Sequence, residues 1–361
     1  MYQYEKVSFQ VSNNYDAILV VSFGGPEGMD DVMPFLENVL RGKNVPRERM
    51  IEVSHHYELF GGVSPINDQN RRLIEALESE LATHKINLPV YWGNRNWNPM
   101  LADTLRQMKT DGVRRALAFF TSAYSSYSGC RQYRENIQQA RDEVGEGAPV
   151  IDKVRVYHNH PGFIAANIAN ITDALMEIPE ERRAAAHIAF TAHSIPMAMA
   201  TNCNYEAQLR DTAQTITREL GHADWQLVYQ SRSGPPTQPW LEPDILDHLR
   251  TLKSNNRQDV IIAPIGFISD HMEVLYDLDT EARQLSEELG INTIRAATVG
   301  THPAFISMIC ELIVERMTEA PTRPALGERG ASHDYCPADC CMSGFTRPGS
   351  ATAPQPVTAT K

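Results

Sequence analysis

Three groups of residues have the types and spacing to do chemistry. The first is Cys336, Cys340 and Cys341, in "HDYCPADCCMSGF", where a segment with little sign of helix or strand holds half of the chain's six cysteines. Where thiols stay reduced, such a group points to metal or cluster ligation rather than to disulfides. The second is His193, which follows the apolar run "HIAFTA" and precedes Ser194-Ile195-Pro196. A neutral imidazole ligates a divalent ion or accepts a proton near neutral pH. A turn histidine bonded to local backbone fits the same position equally well. The third is Glu273, Asp277 and Glu281, spaced i, i+4, i+8 after Asp270 and His271. On a helix they share one face, where like charges cost roughly a few tenths of a kcal/mol per pair. A solvated acidic face near the helix N-terminus is the plain reading. A ladder that draws a hydrated divalent cation toward a crevice is the functional one.

The elements that must position these residues are legible as short apolar runs followed by helical patterns. "DAILVVSFGG" (Asp16 to Gly25) reads as a buried strand ending in a glycine turn. "NLPVYWGNRNW" and "RRALAFFTSAY" repeat the theme around the helix "NPMLADTLRQMKTDG". After a break at "DEVGEGAPVID" the pattern restarts with "KVRVYHNHPGF", "AAHIAFTAHSIP", "DWQLVYQSRSG" and "DVIIAPIGFISDH". This alternation predicts an α/β protein with two units, each a parallel sheet flanked by helices. The units are expected at 1–150 and 151–302. A last helix over 303–320, with Phe305, Ile309, Leu312, Ile313 and Met317 at helical spacing, is expected to join the first unit. Residues 321–361 form an irregular C-terminal tail, expected to be mobile beyond Phe345. Ligands of such sheets bind beyond the carboxyl ends of the strands, which is where His193 and Glu273 stand.

The bulk numbers narrow the function. A net charge of −12 argues against nucleic acid as a partner. No run is long and apolar enough to span a bilayer, and "MYQYEKVSFQ" lacks the pattern of a signal peptide, so a cytoplasmic location is expected. No phosphate loop is present, and "GGPEG" does not match the dinucleotide fingerprint. The loop "YQSRSGPPTQPWLEPD", with Trp240, suits the wall of a flat apolar ligand, or a rigid connection. "LRGKNVPRER" gathers Arg41, Lys43, Arg47 and Arg49, either as a solvated surface or as a partner for an anionic substrate.

Taken together, "FTAHSIP", "YQSRSGPPTQPWL" and "PIGFISDHMEVLYDLD", with "SFGGP", "GGVSPIN" and "GNRNWNP" in the first half, resemble the ferrochelatases over roughly Asp16 to Glu319. Within that family the chain looks most like the actinobacterial coproporphyrin III ferrochelatases. The resemblance implies a chelatase fold of two Rossmann-like domains with a porphyrin cleft between them, the second carrying the metal site. It implies insertion of ferrous iron into coproporphyrin III in haem biosynthesis. A protoporphyrin IX ferrochelatase and a cobalt chelatase are the near alternatives. A haem or metal carrier and an iron–sulfur redox sensor are the distant ones.

By the same resemblance His193 is the catalytic histidine and Glu273 the glutamate opposite it across the macrocycle. Both contact the Fe2+ substrate, and Asp277 and Glu281 deliver the metal. Ser64 contacts the porphyrin, Tyr133 lines the propionate side and Arg41 lies near the propionates. Phe23 stands where related bacterial enzymes carry a tyrosine, so an axial ligand on that face comes from elsewhere or is water. Cys130, in "YSGC", joins Cys336, Cys340 and Cys341 as ligands of a 2Fe-2S cluster, with zinc as the competing occupant of the same ligand set. The implied partners are the porphyrin, Fe2+ and, transiently, other haem-pathway enzymes, with a monomer as the expected state.

Overall fold

The structure is a computed structural model that describes residues 14–42, 45–235, 237–319 and 321–344. Eight strands make two separate four-stranded parallel sheets. The first contains β1 (Ala17–Ser22), β2 (Val90–Asn94), β3 (Arg115–Phe120) and β4 (Val150–Lys153), in the order β2-β1-β3-β4. The second contains β5 (His187–His193), β6 (Trp225–Gln230), β7 (Asp259–Ala263) and β8 (Asn292–Arg295), in the order β6-β5-β7-β8. Helices cover both faces, so the central strands are buried on both sides. That is why β1 and β7 read as unbroken apolar runs rather than alternating ones. β4 straddles the 150/151 boundary expected from the sequence, and all four of its residues pair with β3.

The helix Pro303–Met317 packs against both Pro161–Met176 and Ile66–Thr83. Gly162 permits the closest approach: a Cβ there would stand 2.5 Å from the Ala304 carbonyl oxygen. One hydrophobic core contains Ile18, Val20 and Phe119 of the first sheet, Ile188, Phe190 and Ile261 of the second, and Phe305, Ile309 and Leu312 of this helix. The helix therefore serves both halves.

Residues 321–344 carry little regular structure, yet they are tied down along their length. Arg155, fully buried, donates from Nε to both carboxylate oxygens of buried Glu315, at 2.9 and 3.1 Å, and from Nη2 to the Pro324 carbonyl at 2.8 Å. The Leu326 amide donates to the Asn159 carbonyl at 2.8 Å, and Asn159 Nδ2 donates to the Gly330 carbonyl at 2.7 Å. The Glu328 amide donates to Asp211 at 3.1 Å. At the far end Gly344 lies so close to the Ala198 carbonyl that a side chain has no room. This segment is a strap across both halves. The expectation of mobility beyond Phe345 concerns residues outside those described.

Candidate functional site

His193 is the last residue of β5, in register with Gln230, the last residue of β6. Its ring is about one-third exposed. Nδ1 donates to the carbonyl of the following residue, Ser194, and Tyr205 donates its hydroxyl to the His193 carbonyl at 3.1 Å. With Nδ1 engaged, Nε2 is the atom turned toward the crevice, and it stands 3.5 Å from Glu273 Oε2. Burial opposes the histidine's charge. The carboxylates of Glu273 and then Asp277, with the Ser194 carbonyl, outweigh it and hold the imidazole up at about 9.

The resemblance implied that Glu273 faces His193 across a flat ring. Groups on opposite faces of a macrocycle are about 7 Å apart, twice an ordinary contact distance. Here the two side chains stand at half that separation, within reach of one shared cation or proton.

The acidic row is arranged less simply than one helical face. After a short helix, Met272–Tyr276, the chain runs through a π-helical turn, Asp277–Ala282, and returns to α-helix at Arg283–Leu289. Thr280 Oγ1 donates to the carbonyl of Leu275, five residues back, inside this widened turn. Such turns recur at functional sites. Asp277 points inward and accepts hydrogen bonds from Ser231 Oγ and, at 3.3 Å, from Gln230 Nε2. Burial lifts its carboxyl to about 7, and the Glu273 charge adds to that lift against the two hydrogen bonds. Glu281 is raised by burial and by Asp244, against the hydrogen bond from Tyr276. The ring of Tyr276 stacks on His56, with centroids 3.7 Å apart. His271 starts the first helix by accepting from the Glu273 amide at 3.2 Å. Burial lowers its basicity, against the pull of Glu273.

One wall is apolar and aromatic: Phe35, Tyr57 and Met272 cluster with Phe23, Phe60 and Trp97. Met272 is the neighbour of Glu273 in sequence, and the Glu273 charge reaches Tyr57, whose hydroxyl is raised chiefly by burial. Phe23 meets Phe35 edge-on at 6.2 Å, with the Arg95 guanidinium over its ring at 5.5 Å. Tyr133 is buried under the same Arg95, 4.5 Å from its ring, and leans on Phe120. Ser64 is buried against Gly25, where a Cβ would meet the serine side chain at 2.7 Å. Arg41 is exposed and hydrogen-bonds Asn38. Arg47 pairs with Glu37 at 3.8 Å and Arg49 with Glu52 at 2.6 Å, while Lys43 lies outside the described residues. Sequence reading singled out none of Gln230, Ser231, His56, Tyr276 or Arg95 as a site residue.

A histidine at the end of β5, a carboxylate from the short helix after β7, an acidic row behind them and an aromatic wall beside them suit a metal ion meeting a flat ligand. The family model described as ferrochelatase matches residues 15–317. The chain belongs to the ferrochelatase family. It is 61% identical to a protein named ferrochelatase from Rhodopirellula baltica, covering 92% of this chain and 95% of that one. It is 53% identical to a protein named coproporphyrin III ferrochelatase from Streptomyces coelicolor, covering 95% of this chain and 97% of that one. Among solved structures, SirB from Bacillus subtilis with Fe3+ superimposes with a TM-score of 0.51 at 12% identity, covering 82% of this chain and 94% of that one. DR2241 from Deinococcus radiodurans, described as structurally similar to chelatases, does so with a TM-score of 0.51 at 15% identity, covering 88% of this chain and 57% of that one. These two share the fold. As a ferrochelatase, the protein is an enzyme that places a metal ion in a porphyrin.

Elsewhere in this ferrochelatase four cysteines come together. Cys130 lies in another π-helical turn, Tyr127–Arg131, where it is 2% exposed. The strap brings Cys336, Cys340 and Cys341 to it. Arg131 Nη1 donates to the carbonyls of Ala338 and Cys340, at 2.7 and 3.0 Å, and fixes the approach. The neighbouring Cys336 and burial push the Cys130 thiol well up, and the sulfurs of Cys340 and Cys341 are 3.6 Å apart. The Cys336 thiol is pulled down to about 4, first by the hydrogen bond with Cys130 and then by Lys153 and Arg134, against burial. A thiolate among cations is the form that binds metal. The donor set, four neighbouring thiols, fits a group held by cysteines. Cys310 is buried in the helix Pro303–Met317, and Cys203 donates to the Met199 carbonyl at 3.3 Å.

Among the described residues, no helix is long and apolar enough to cross a membrane.

Proposed function

We propose that this ferrochelatase inserts ferrous iron into coproporphyrin III, with His193 and Glu273 as the reacting pair. The observation that carries the assignment is the 3.5 Å approach of His193 Nε2 to Glu273 Oε2 at the carboxyl end of β5, backed by Asp277. The choice of porphyrin is supported by the Streptomyces relative, which bears that substrate in its name.

Insertion exchanges two pyrrole protons for one Fe2+, so the site must hold a cation and carry protons away. At neutral pH His193 holds a proton next to Glu273. Before Nε2 ligates iron or takes a pyrrole proton, that proton must leave. Glu273 is the adjacent carboxylate, and Asp277, at about 7, exchanges protons readily near neutral pH. The pair and the acidic row thus provide a route for protons outward and for a divalent cation inward. The aromatic wall grips the flat ring, and a grip that favours a puckered macrocycle favours the transition state. Glu281 extends the row, while Ser64, Tyr133 and Arg41 are assigned to the porphyrin side.

Cys130, Cys336, Cys340 and Cys341 are assigned to a 2Fe-2S cluster, which supplies redox chemistry when bound. The resemblance to cluster-bearing ferrochelatases supports this reading, with a single zinc ion as the alternative occupant of the same four thiols.

The test is an anaerobic absorbance trace with coproporphyrin III before and after Fe2+ is added. Catalytic conversion of the free-base bands supports the proposal. A shift no larger than stoichiometric would make the protein a carrier, and faster turnover with protoporphyrin IX or cobalt would reassign the substrate.

A further inference from the structure

The cysteine site has one more side chain with donor chemistry. His333 lies on the strap three residues before Cys336. Its imidazole, the Cys336 sulfur and the Cys340 sulfur all lie within 4.8 Å of one another. The distance from Nε2 to Cys340 Sγ is 3.9 Å. Four thiols gather here: Cys336 lies beside Cys130, and the sulfurs of Cys340 and Cys341 are 3.6 Å apart. Two pairs of thiolates complete the coordination of two tetrahedral irons, so a two-iron group leaves no position for a fifth ligand. His333 thus stands beside the sulfurs of Cys336 and Cys340. An imidazole N–H is a donor and a thiolate sulfur is an acceptor. Arg131 and Arg134 also reach this segment, but their N–H groups go to the backbone carbonyls of Ala338 and Cys340. They fix the chain, Arg134 reaches the sulfurs through its charge, and His333 is the side chain with a nitrogen at hydrogen-bonding range of Cys340 Sγ.

We propose that His333 is a positioning residue of the cysteine site, donating its N–H to the sulfurs of Cys336 and Cys340 and raising the reduction potential of the two-iron group that those thiolates hold. The inference rests on the cluster assignment made above. Its physical basis is charge. A donor at sulfur withdraws negative charge, the reduced cluster carries more of it, and the reduced form is therefore stabilised more than the oxidised one.

The experiment is a potentiometric titration of the full-length protein at one fixed pH, with the reduced cluster followed by electron paramagnetic resonance. The midpoint of His333→Ala is expected below that of wild type, with an altered signal. His333→Gln keeps an N–H donor and is expected to recover part of the shift. A midpoint and signal unchanged in the alanine variant overturn the inference. Loss of the cluster from both variants also overturns it, since His333 would then be a ligand. A wild-type protein without a two-iron spectrum fails the cluster assignment instead, and the two failures are told apart before any variant is made.

Discussion

His193 Nε2 and Glu273 Oε2 stand 3.5 Å apart in the crevice, and the ring is held from behind by the Ser194 carbonyl. In the proposed reaction Nε2 ligates the cation or accepts the proton, and the carboxylate is its partner. His193→Ala is expected to lower iron insertion by about 10³-fold, the ordinary worth of a positioned acid–base group. The aromatic wall is untouched by that change, so porphyrin binding, read by fluorescence quenching, should persist. Turnover at the wild-type rate would remove His193 from the reaction.

His193 and Asp277 predict opposite pH trends for stability and for the proposed catalysis. His193 is raised from 6.5 to about 9, so its stabilising charge is complete below 6.5 and lost as pH climbs through 9. Asp277 is raised from 3.8 to about 7, so the folded state binds its proton more tightly and stability declines between those values as pH rises. Thermal stability should therefore fall from pH 4 to 9 where these groups dominate. Catalysis needs both groups deprotonated, so kcat/KM should rise over the upper part of that range. Asp277→Asn keeps an acceptor for Ser231 and Gln230 but cannot ionise, and should erase the limb near pH 7. A lower limb that survives in this variant assigns it to another group.

The strap predicts a stability effect far from the chemistry. Arg155→Met leaves Glu315 buried with only Arg323, 3.1 Å away and partly exposed, to balance it. Breaking a buried pair from one side costs about 3 kcal/mol or more. The denaturation midpoint should drop accordingly. A midpoint equal to that of wild type would mean that the Arg155–Glu315 pair does not anchor the strap.

Cys340→Ser should abolish the visible absorbance expected of the proposed cluster in the purified protein. Arg131 holds this residue through its backbone carbonyl, so the serine variant keeps the docked strap and loses only the sulfur. A retained chromophore would show that a different ligand set is in use.

Much of this was legible in the sequence, and the limits are physical. β1 and β7 announced themselves because burial on both faces demands unbroken apolar runs. His193 was findable because it ends such a run. The π-helical turn was hidden: Val274, Leu278 and Ala282 are buried at a spacing that an ordinary helix gives equally well. Gln230 and Ser231 come to Asp277 only because β6 lies beside β5, a neighbour relation that no local pattern encodes. The strap read as featureless because its partners, Arg155, Asn159 and Asp211, lie more than a hundred residues away.

The strap also sets an order in time. Cys130 leaves the ribosome more than two hundred residues before Cys336. Both sheets, with the crevice between them, are encoded before the other three thiols exist. A chain interrupted after Met317 would carry His193, Glu273 and Asp277 but only one thiol of the four-cysteine site. Occupancy of that site therefore records that translation has passed Cys341, which a folded crevice alone does not.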